Sequence, residues 1–267
     1  MIQLFYRSLS DIQSKKKILS VLQWNTLSDK LSNRFPAVNP DLLKWEHRRQ
    51  KIIQKLKNFS SDILCLQEID HYHDFFKLEL ENLGFYGIYQ QRGKMYHDGC
   101  CIFYKNNIKN LERYKINFPE HQNAIGVLLD FNNILFYVFS IHLNPNINND
   151  HIRKHQIETL INYISILKPY PVLICGDFNN DPSSIAYKTI YNNSIGLKSI
   201  FLNNEPEFTT IKFNKTLHKK TVDYIWIRDF KVISSELFPN KNTISETGLP
   251  NEDFPSDHLA LYAMISI

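Results

Sequence analysis

The stretch Pro171-Val172-Leu173-Ile174-Cys175-Gly176-Asp177-Phe178-Asn179-Asn180-Asp181-Pro182 decides how the rest of the chain is read. Val172 to Cys175 is a short apolar run of the kind that forms a buried strand, and it stops at Gly176, just before Asp177 and Asn179. A core strand therefore delivers a carboxylate and an amide to one fixed place. Asp181 reads as a helix N-cap, Pro182 as the first helical position, and Ser183 to Tyr191 as an amphipathic helix. Strand, polar loop and helix start follow so closely that groups between them are held still, as catalysis requires.

The same pattern recurs on either side. Ile18 to Trp24 is an apolar run that ends at Asn25, and Asp62 to Leu66 is another that ends at Gln67-Glu68. Asp98-Gly99 opens the run Cys100 to Tyr104. Ala124 to Phe131 and Ile134 to His142 flank Asn132-Asn133, a two-residue break suited to a tight hairpin because Asn tolerates positive φ. Thr221 to Arg228 is a strand containing Asp223, and Ser256-Asp257-His258 opens the last strand, Leu259 to Ile267. Helical spacing appears in Asp41 to Lys57, with Leu42, Trp45, Ile52, Ile53 and Leu56 on its apolar side, and again from Phe75 to Leu83. A third helix, for which Asp150 can serve as cap, carries Ile157, Leu160, Ile161, Ile164 and Leu167. Tyr86 to His97 reads as a polar and aromatic loop. Strands separated by helices, with a hairpin among them, predict an α/β layered domain with mixed sheets over residues 18–267, preceded by a segment 1–17 of weak signal.

Composition bounds the function classes. At 267 residues, 43% hydrophobic, 22% charged and 13% aromatic, the chain has globular proportions, and a disordered chain would be depleted in aromatics. A formal charge of +4 permits a phosphate-rich partner without requiring one. Cys65, Cys100, Cys101 and Cys175 show no Cys-x-x-Cys spacing, so neither a disulfide framework nor a zinc site is expected. No stretch approaches the ~20 apolar residues of a membrane helix, and no signal-peptide pattern opens the sequence. These readings predict a cytoplasmic, reducing setting, no membrane insertion, and a monomer by default.

Asn25, Glu68, His142, Asp177, Asn179, Asp223, Asp257 and His258 all fall within strands or at strand ends beside apolar runs. A single buried Asp or His is more often a hydrogen-bonded structural group than a catalyst. The recurrence of the pattern argues for a shared site. Oxygen-rich ligation by Glu68 and Asp257, without a cysteine set, suits a hard cation such as Mg²⁺, with Mn²⁺ as a substitute, that keeps waters and awaits phosphate oxygens. Phosphoryl transfer to water needs such a Lewis acid, a carboxylate to orient or deprotonate the water, and donors for the equatorial oxygens. No Gly-x-Ser-x-Gly elbow supports serine catalysis.

Trp24-Asn25, Leu66-Gln67-Glu68, Ile141-His142-Leu143, Gly176-Asp177-Phe178-Asn179, Val222-Asp223-Tyr224 and Ser256-Asp257-His258 resemble, in order and spacing, the motif set of the endonuclease/exonuclease/phosphatase superfamily. The resemblance implies a four-layer α/β sandwich of the deoxyribonuclease I type, two mixed β-sheets face to face with helices outside. It also implies roles: Glu68 holding Mg²⁺ with Asn25 and Asp257, Asp177 activating water, Asn179 and His142 binding the scissile phosphate, and His258 stabilising the transition state with Asp223 as its partner. Gln23-Trp24-Asn25-Thr26-Leu27, Trp45-x-x-Arg48-Arg49 and Asp98-Gly99-Cys100 are similar to the branch of nocturnin, poly(A) deadenylases, Angel proteins and 2′-5′ phosphodiesterases. Where nocturnin has a Lys and an Arg after its His-Leu, this chain has Asn144 and Asn146. His142-Leu143-Asn144-Pro145, with Arg153 and Gln156 downstream, is closer to the deadenylase and Angel pattern. That pattern implies Pro145 against a substrate base, with Phe213 or His218 on its other face.

Arg92, Lys94, Lys105 and Arg153 are candidates for phosphate contacts, as is the group Lys212, Lys215, Lys219 and Lys220. The expected function is a Mg²⁺-dependent phosphodiesterase acting on RNA, a 3′-exoribonuclease of deadenylase type. The alternative is a phosphatase or phosphodiesterase on small nucleotides or RNA ends: a dinucleotide 2′-phosphate, a 2′-5′ linkage or a 2′,3′-cyclic phosphate. A third reading is an inactive nucleic-acid-binding module on the same fold.

Overall fold

The computed structural model describes residues 17–93, 95–118, 122–202 and 204–267. Most of the segment 1–17, including Lys15 and Lys16, and the candidate Lys94 lie outside the described residues. Fourteen strands are present among the described residues. In chain order, β1 (Ile18–Asn25), α1 (Pro40–Leu43), α2 (Trp45–Phe59), β2 (Ile63–Gln67), α3 (Lys77–Glu81), β3 (Phe85–Gln91) and β4 (Gly99–Lys105) form the first half. Then come β5 (Lys109–Asn117), β6 (Asn123–Phe131), β7 (Ile134–His142), α4 (Asp150–Ser165), β8 (Val172–Asp177), α5 (Ile185–Tyr191) and β9 (Lys198–Ser199). The chain finishes with β10 (Thr210–Asn214), β11 (Thr216–Lys220), β12 (Asp223–Arg228), β13 (Lys231–Phe238) and β14 (Ala260–Ser266).

Two six-stranded sheets result, ordered β13-β14-β1-β2-β4-β3 and β5-β6-β7-β8-β12-β9, with β10-β11 as a separate hairpin. Both are mixed: β1 runs parallel to β2, and β7 runs parallel to β8, while the other neighbours are antiparallel. The period-2 alternation of each central strand feeds a shared core layer between the sheets and an outer layer under the helices, three layers in all. Ile63 and Cys65 of β2, and Leu173 and Cys175 of β8, point between the sheets. Leu64 and Leu66 face outward against Ile52, Ile53 and Leu56 of α2. Val172 and Ile174 face Ile157, Leu160, Ile161 and Ile164 of α4. Helix, sheet, sheet and helix thus stack as the expected α/β sandwich. The Asn132-Asn133 hairpin is present, with φ of 53° and 63° at the two Asn.

Several local readings are corrected. Residues 41–57 form two helices, because Lys44 adopts an extended ψ of 137° between α1 and α2. Tyr86 to His97 is not all loop, since β3 pairs with β4 as far as Gln91. Helix α5 starts at Ile185 with Ser184 as its cap, whose hydroxyl accepts the Tyr187 N–H at 3.0 Å. Asp181 instead accepts the Ser183 N–H at 2.9 Å in a turn ahead of the helix. Asp150 does not cap its own helix α4: its carboxylate crosses to accept the Ile185 N–H at 2.9 Å, tying the two helices together.

Candidate active site

Strand register gathers the polar residues. In the second sheet His142 lies opposite Asp177, and Asp177 lies opposite Asp223, so three adjacent strands place them in one row at the same edge. In the first sheet Asn25 pairs with Gln67, and Glu68 follows at once with φ of 57°. The left-handed turn swings the Glu68 side chain out of the strand toward that row. Asp257 and His258 precede β14 and are tied to the hairpin by a Thr210–His258 bridge.

The hydrogen bonds fix how each side chain is held. Asn25 Nδ2 donates to Glu68 Oε1 at 3.1 Å and to Asp177 Oδ2 at 3.0 Å, joining the acids of the two sheets. Ser28 N–H donates to the other Glu68 oxygen at 3.0 Å. Asp177 Oδ1 accepts the Asn179 N–H at 2.9 Å, and Asn179, at φ of 50°, donates its Nδ2 to the Leu143 carbonyl at 3.0 Å. His142 Nε2 and His258 Nε2 lie 3.6 Å and 3.8 Å from Asp177 Oδ2. Asp257 Oδ2 faces Lys212 Nζ at 3.4 Å and His258 Nε2 at 3.9 Å.

His258 Nδ1 lies 2.9 Å from Asp223 Oδ2, which also accepts the Thr209 hydroxyl at 2.7 Å, while Gln23 Nε2 donates to Oδ1 at 3.3 Å. Because the carboxylate can only accept, Nδ1 carries hydrogen and Nε2 is left facing the cleft. Burial works against charge on the ring. Asp223, then Asp257 and Asp177, outweigh it and push the His258 pKa up to about 10. Burial also raises the Asp223 carboxyl, opposed by the His258 charge and hydrogen bond. The pair therefore holds its proton on the histidine, as an imidazolium beside a carboxylate.

Beneath this row, Gln67 Nε2 donates to Gln23 Oε1 at 2.8 Å and to Ser140 Oγ at 3.1 Å, and Gln23 Nε2 returns a bond to Gln67 Oε1 at 2.7 Å. All three residues are buried, and they form a polar bridge between the sheets that ends on Asp223. With every amide N–H engaged, the layer carries no desolvation penalty for an unmade bond.

Above the row opens a cleft of about 640 Å³ lined by Glu68, His142, Asp177, Asn179, Asp257 and His258, and also by Arg92, Pro145, Lys212, Phe213 and His218. A second cleft of about 450 Å³ continues past Pro145, Asn179, Lys212, His218 and His258 toward Lys220. The sequence profile of the endonuclease/exonuclease/phosphatase family matches residues 22–258. The chain belongs to this family. Mouse nocturnin is 30% identical over 94% of this chain and 66% of its own length, so the chain spans just under two thirds of that relative. The Ccr4 protein of Candida glabrata, named a 3′-5′-exoribonuclease subunit of the CCR4-Not complex, is 24% identical over 94% of this chain and 37% of its own length. The solved human nocturnin catalytic domain, which carries a bound sulfate anion, superposes with a TM-score of 0.78 and 27% identity, covering 95% of this chain and 97% of that one. The neighbour is the same sandwich.

The family's divalent-cation requirement can be tested on the donor set. One ligand atom from each of Glu68, His142 and Asp177 lies within 4.8 Å of the others; those of Asp177, Asp223 and His258 are as close, but His258 and Asp223 are engaged with each other, and Asp257, expected as a ligand, falls in neither group among the described residues. The four cysteines are buried and free, outside any such group. A mainly oxygen set of this kind suits a hard divalent cation. Asn25, expected to help hold the cation, donates its Nδ2 to Glu68 and Asp177 and accepts the Leu27 N–H on its Oδ1 at 3.1 Å, which orients the two carboxylates.

Other expected contacts divide. Pro145, Phe213 and His218 line one cleft, as the base-slot reading requires. Arg92 lines it too, its guanidinium 4.1 Å from the Tyr96 ring centroid. Arg153 is corrected: it lines the second cleft, but Nη1 donates to the Asn144 and Asn146 carbonyls at 3.1 Å and 2.6 Å and Nη2 to the Ile147 carbonyl at 3.4 Å. It shapes the Pro145 loop instead of waiting for phosphate. Lys105 is bound to Asp62 at 2.9 Å, at the end of β4 away from the cleft. Lys219 pairs with Glu207 at 3.3 Å. Sequence reasoning missed Asp98, a buried carboxylate lining the cleft whose Oδ2 has no hydrogen-bond partner among the described residues. Its position before Gly99 at a strand start repeats the strand-end pattern and was the available signal. Thr209 and Gln23 carried no such signal, because their roles depend on contacts with Asp223 far along the chain.

Proposed function

We propose that the chain is a Mg²⁺-dependent phosphodiesterase that shortens RNA from its 3′ end, in a cytoplasmic setting consistent with four buried free thiols. The observation that carries this reading is the row His142–Asp177–Asp223, completed by His258, whose His142, Asp177 and His258 line a cleft of about 640 Å³ together with Glu68, beside a second cleft of about 450 Å³. Glu68, its carboxylate received by Asn25 and Ser28, would hold the cation, with Asp257 as the other acid lining the same cleft; when bound the cation supplies Lewis-acid polarisation of a phosphate oxygen. Asp177 orients the attacking water and accepts its proton. Water oxygen bonds to phosphorus as the bond to the 3′ oxygen breaks; the departing 3′ oxygen takes a proton from solvent, which later recovers the one held by Asp177, leaving a 3′ hydroxyl on the shortened chain and a 5′ phosphate on the released nucleotide. Imidazolium His258, held by Asp223, neutralises charge on the equatorial oxygens, and His142 and Asn179 position the phosphate. Pro145 and Phe213 would stack on the terminal base.

The resemblance to Ccr4, itself named a 3′-5′-exoribonuclease subunit, supports the direction of attack. A substrate panel tests it: oligo(A), mixed RNA, 2′-5′ oligoadenylate, a 2′-phosphorylated dinucleotide and RNA ending in a 2′,3′-cyclic phosphate, each with Mg²⁺. Oligo(A) and mixed RNA shortened stepwise, releasing 5′-mononucleotides, is the expected result. Phosphate release or ring opening on the last two substrates, with linear RNA untouched, would replace this reading by a terminal phosphatase.

A further inference from the structure

Arg48 lies in the first turns of α2 and its side chain is fully buried, at 0% exposure. Its fork turns toward the corner that follows β1. Nη1 donates to the Leu27 carbonyl at 2.7 Å, Nη2 donates to the same oxygen, and Nη2 also reaches the Thr26 carbonyl at 3.3 Å. No carboxylate forms an ion pair with it among the described residues. Burial lowers its pKa from the ordinary guanidinium range, while Asp70, Asp29, Asp257 and Glu68 act on it through space in the opposite direction. A guanidinium buried without a paired acid is costly to keep. Tying down two carbonyls alone needs no charge.

The corner explains the charge. Leu27 has φ of 60°, a left-handed conformation unusual for a branched side chain, so the chain there needs external support. On its cleft side the corner supplies the Ser28 N–H to Glu68 Oε2 at 3.0 Å, and the amide of Asn25, anchored by the Leu27 N–H, supplies Glu68 Oε1 at 3.1 Å. Both oxygens of Glu68 are therefore received by one corner, and the carbonyls on the reverse of that corner are received by Arg48. Lysine could supply the charge but not two aligned N–H groups to one oxygen.

We infer that Arg48 is a positioning residue for the cation site: its fork fixes the Thr26 and Leu27 carbonyls so that Ser28 and Asn25 keep Glu68 aimed into the cleft, and its charge backs the acidic cluster. The inference rests on the reading of Glu68 as cation ligand. Mn²⁺ affinity, measured by electron paramagnetic resonance on metal-free protein whose fold is checked by circular dichroism, separates the two. Glu68→Gln is expected to weaken Mn²⁺ binding by about 10-fold to 100-fold, and Arg48→Lys by about 10-fold with a retained cooperative melt. Arg48→Ala should regain Mn²⁺ affinity on adding guanidinium below denaturing concentration and not on adding methylammonium. Unchanged affinity in Glu68→Gln would remove the cation reading itself. Normal affinity in Arg48→Lys, with Glu68→Gln weakened, would overturn the Arg48 inference alone. An Arg48→Lys chain without a cooperative melt would overturn it too, since the guanidinium would then be holding the fold and not Glu68.

Discussion

Asp177 and Lys212 both lie within reach of the His258–Asp257 corner, yet they are held there by different means. Asp177 closes a strand with neighbours on both sides, is 1% exposed, and has both carboxylate oxygens engaged. Lys212 sits on a two-stranded hairpin, its side chain 50% exposed, with one long contact to Asp257. The first position follows from sheet register, which cannot slip without turning every core side chain to the wrong face. The second follows from a hairpin strand whose Thr210 and Ile211 are buried against the body and whose Lys212 side chain faces outward. The proposed chemistry lies on the sheet row, and the proposed substrate contacts on the hairpin.

The contrast is broken most directly at the strand that carries Asp177. A Cβ on Gly176 would lie 2.3 Å from the Ile141 carbonyl oxygen and 2.5 Å from its Cγ1. Gly176→Ala should cost ~3 kcal/mol of unfolding free energy, read from urea titration, because two central strands must separate to admit it. A loss under ~0.5 kcal/mol would show that the row is not locked by packing. Next comes the histidine pair: Asp223→Asn should lower kcat about 10-fold to 100-fold with KM little changed, since His258 keeps its place but loses the partner that favours its charge. A change confined to KM would assign Asp223 to substrate binding.

On the hairpin the expected effects are smaller. Phe213→Ala should raise KM for oligo(A) about tenfold, the worth of one stacked base, and leave kcat near the original value. An equal fall in kcat would mean the hairpin shapes the acids and the two regions are not separable. Lys220→Ala should reduce the slope of log affinity against log salt by about 1 without touching kcat, if Lys220 contacts one phosphate. An unchanged slope would remove it from the substrate path.

The same division governs what could be read from the chain. Ile18 to Trp24, Asp62 to Leu66 and Val172 to Cys175 are predominantly apolar runs because both faces of those strands are buried, and such runs are visible without neighbours. β5, β11 and β13 sit at edges or on the surface, with polar residues such as Lys109, Glu112, Lys115, Lys219 and Glu236 among their positions, and nothing local marks them as strands. Most of the site was legible for a related reason: a carboxylate, imidazole or amide stands out at the end of an apolar run. What was not legible is what those groups do to one another. Asn25 orients Glu68 and Asp177, Arg153 holds the 144–147 loop, and Asp150 caps a helix that begins beyond the next strand, each set by contacts that only the assembled fold creates.

The central claim is that Asp177 activates water for hydrolysis at an RNA 3′ end. A time course with 5′-labelled oligo(A) and Mg²⁺, run with wild type and Asp177→Ala at equal concentration, tests it. The account predicts a ladder shortening from the 3′ end with wild type and a rate about 10³-fold lower with Asp177→Ala. Equal rates for the two proteins would contradict it.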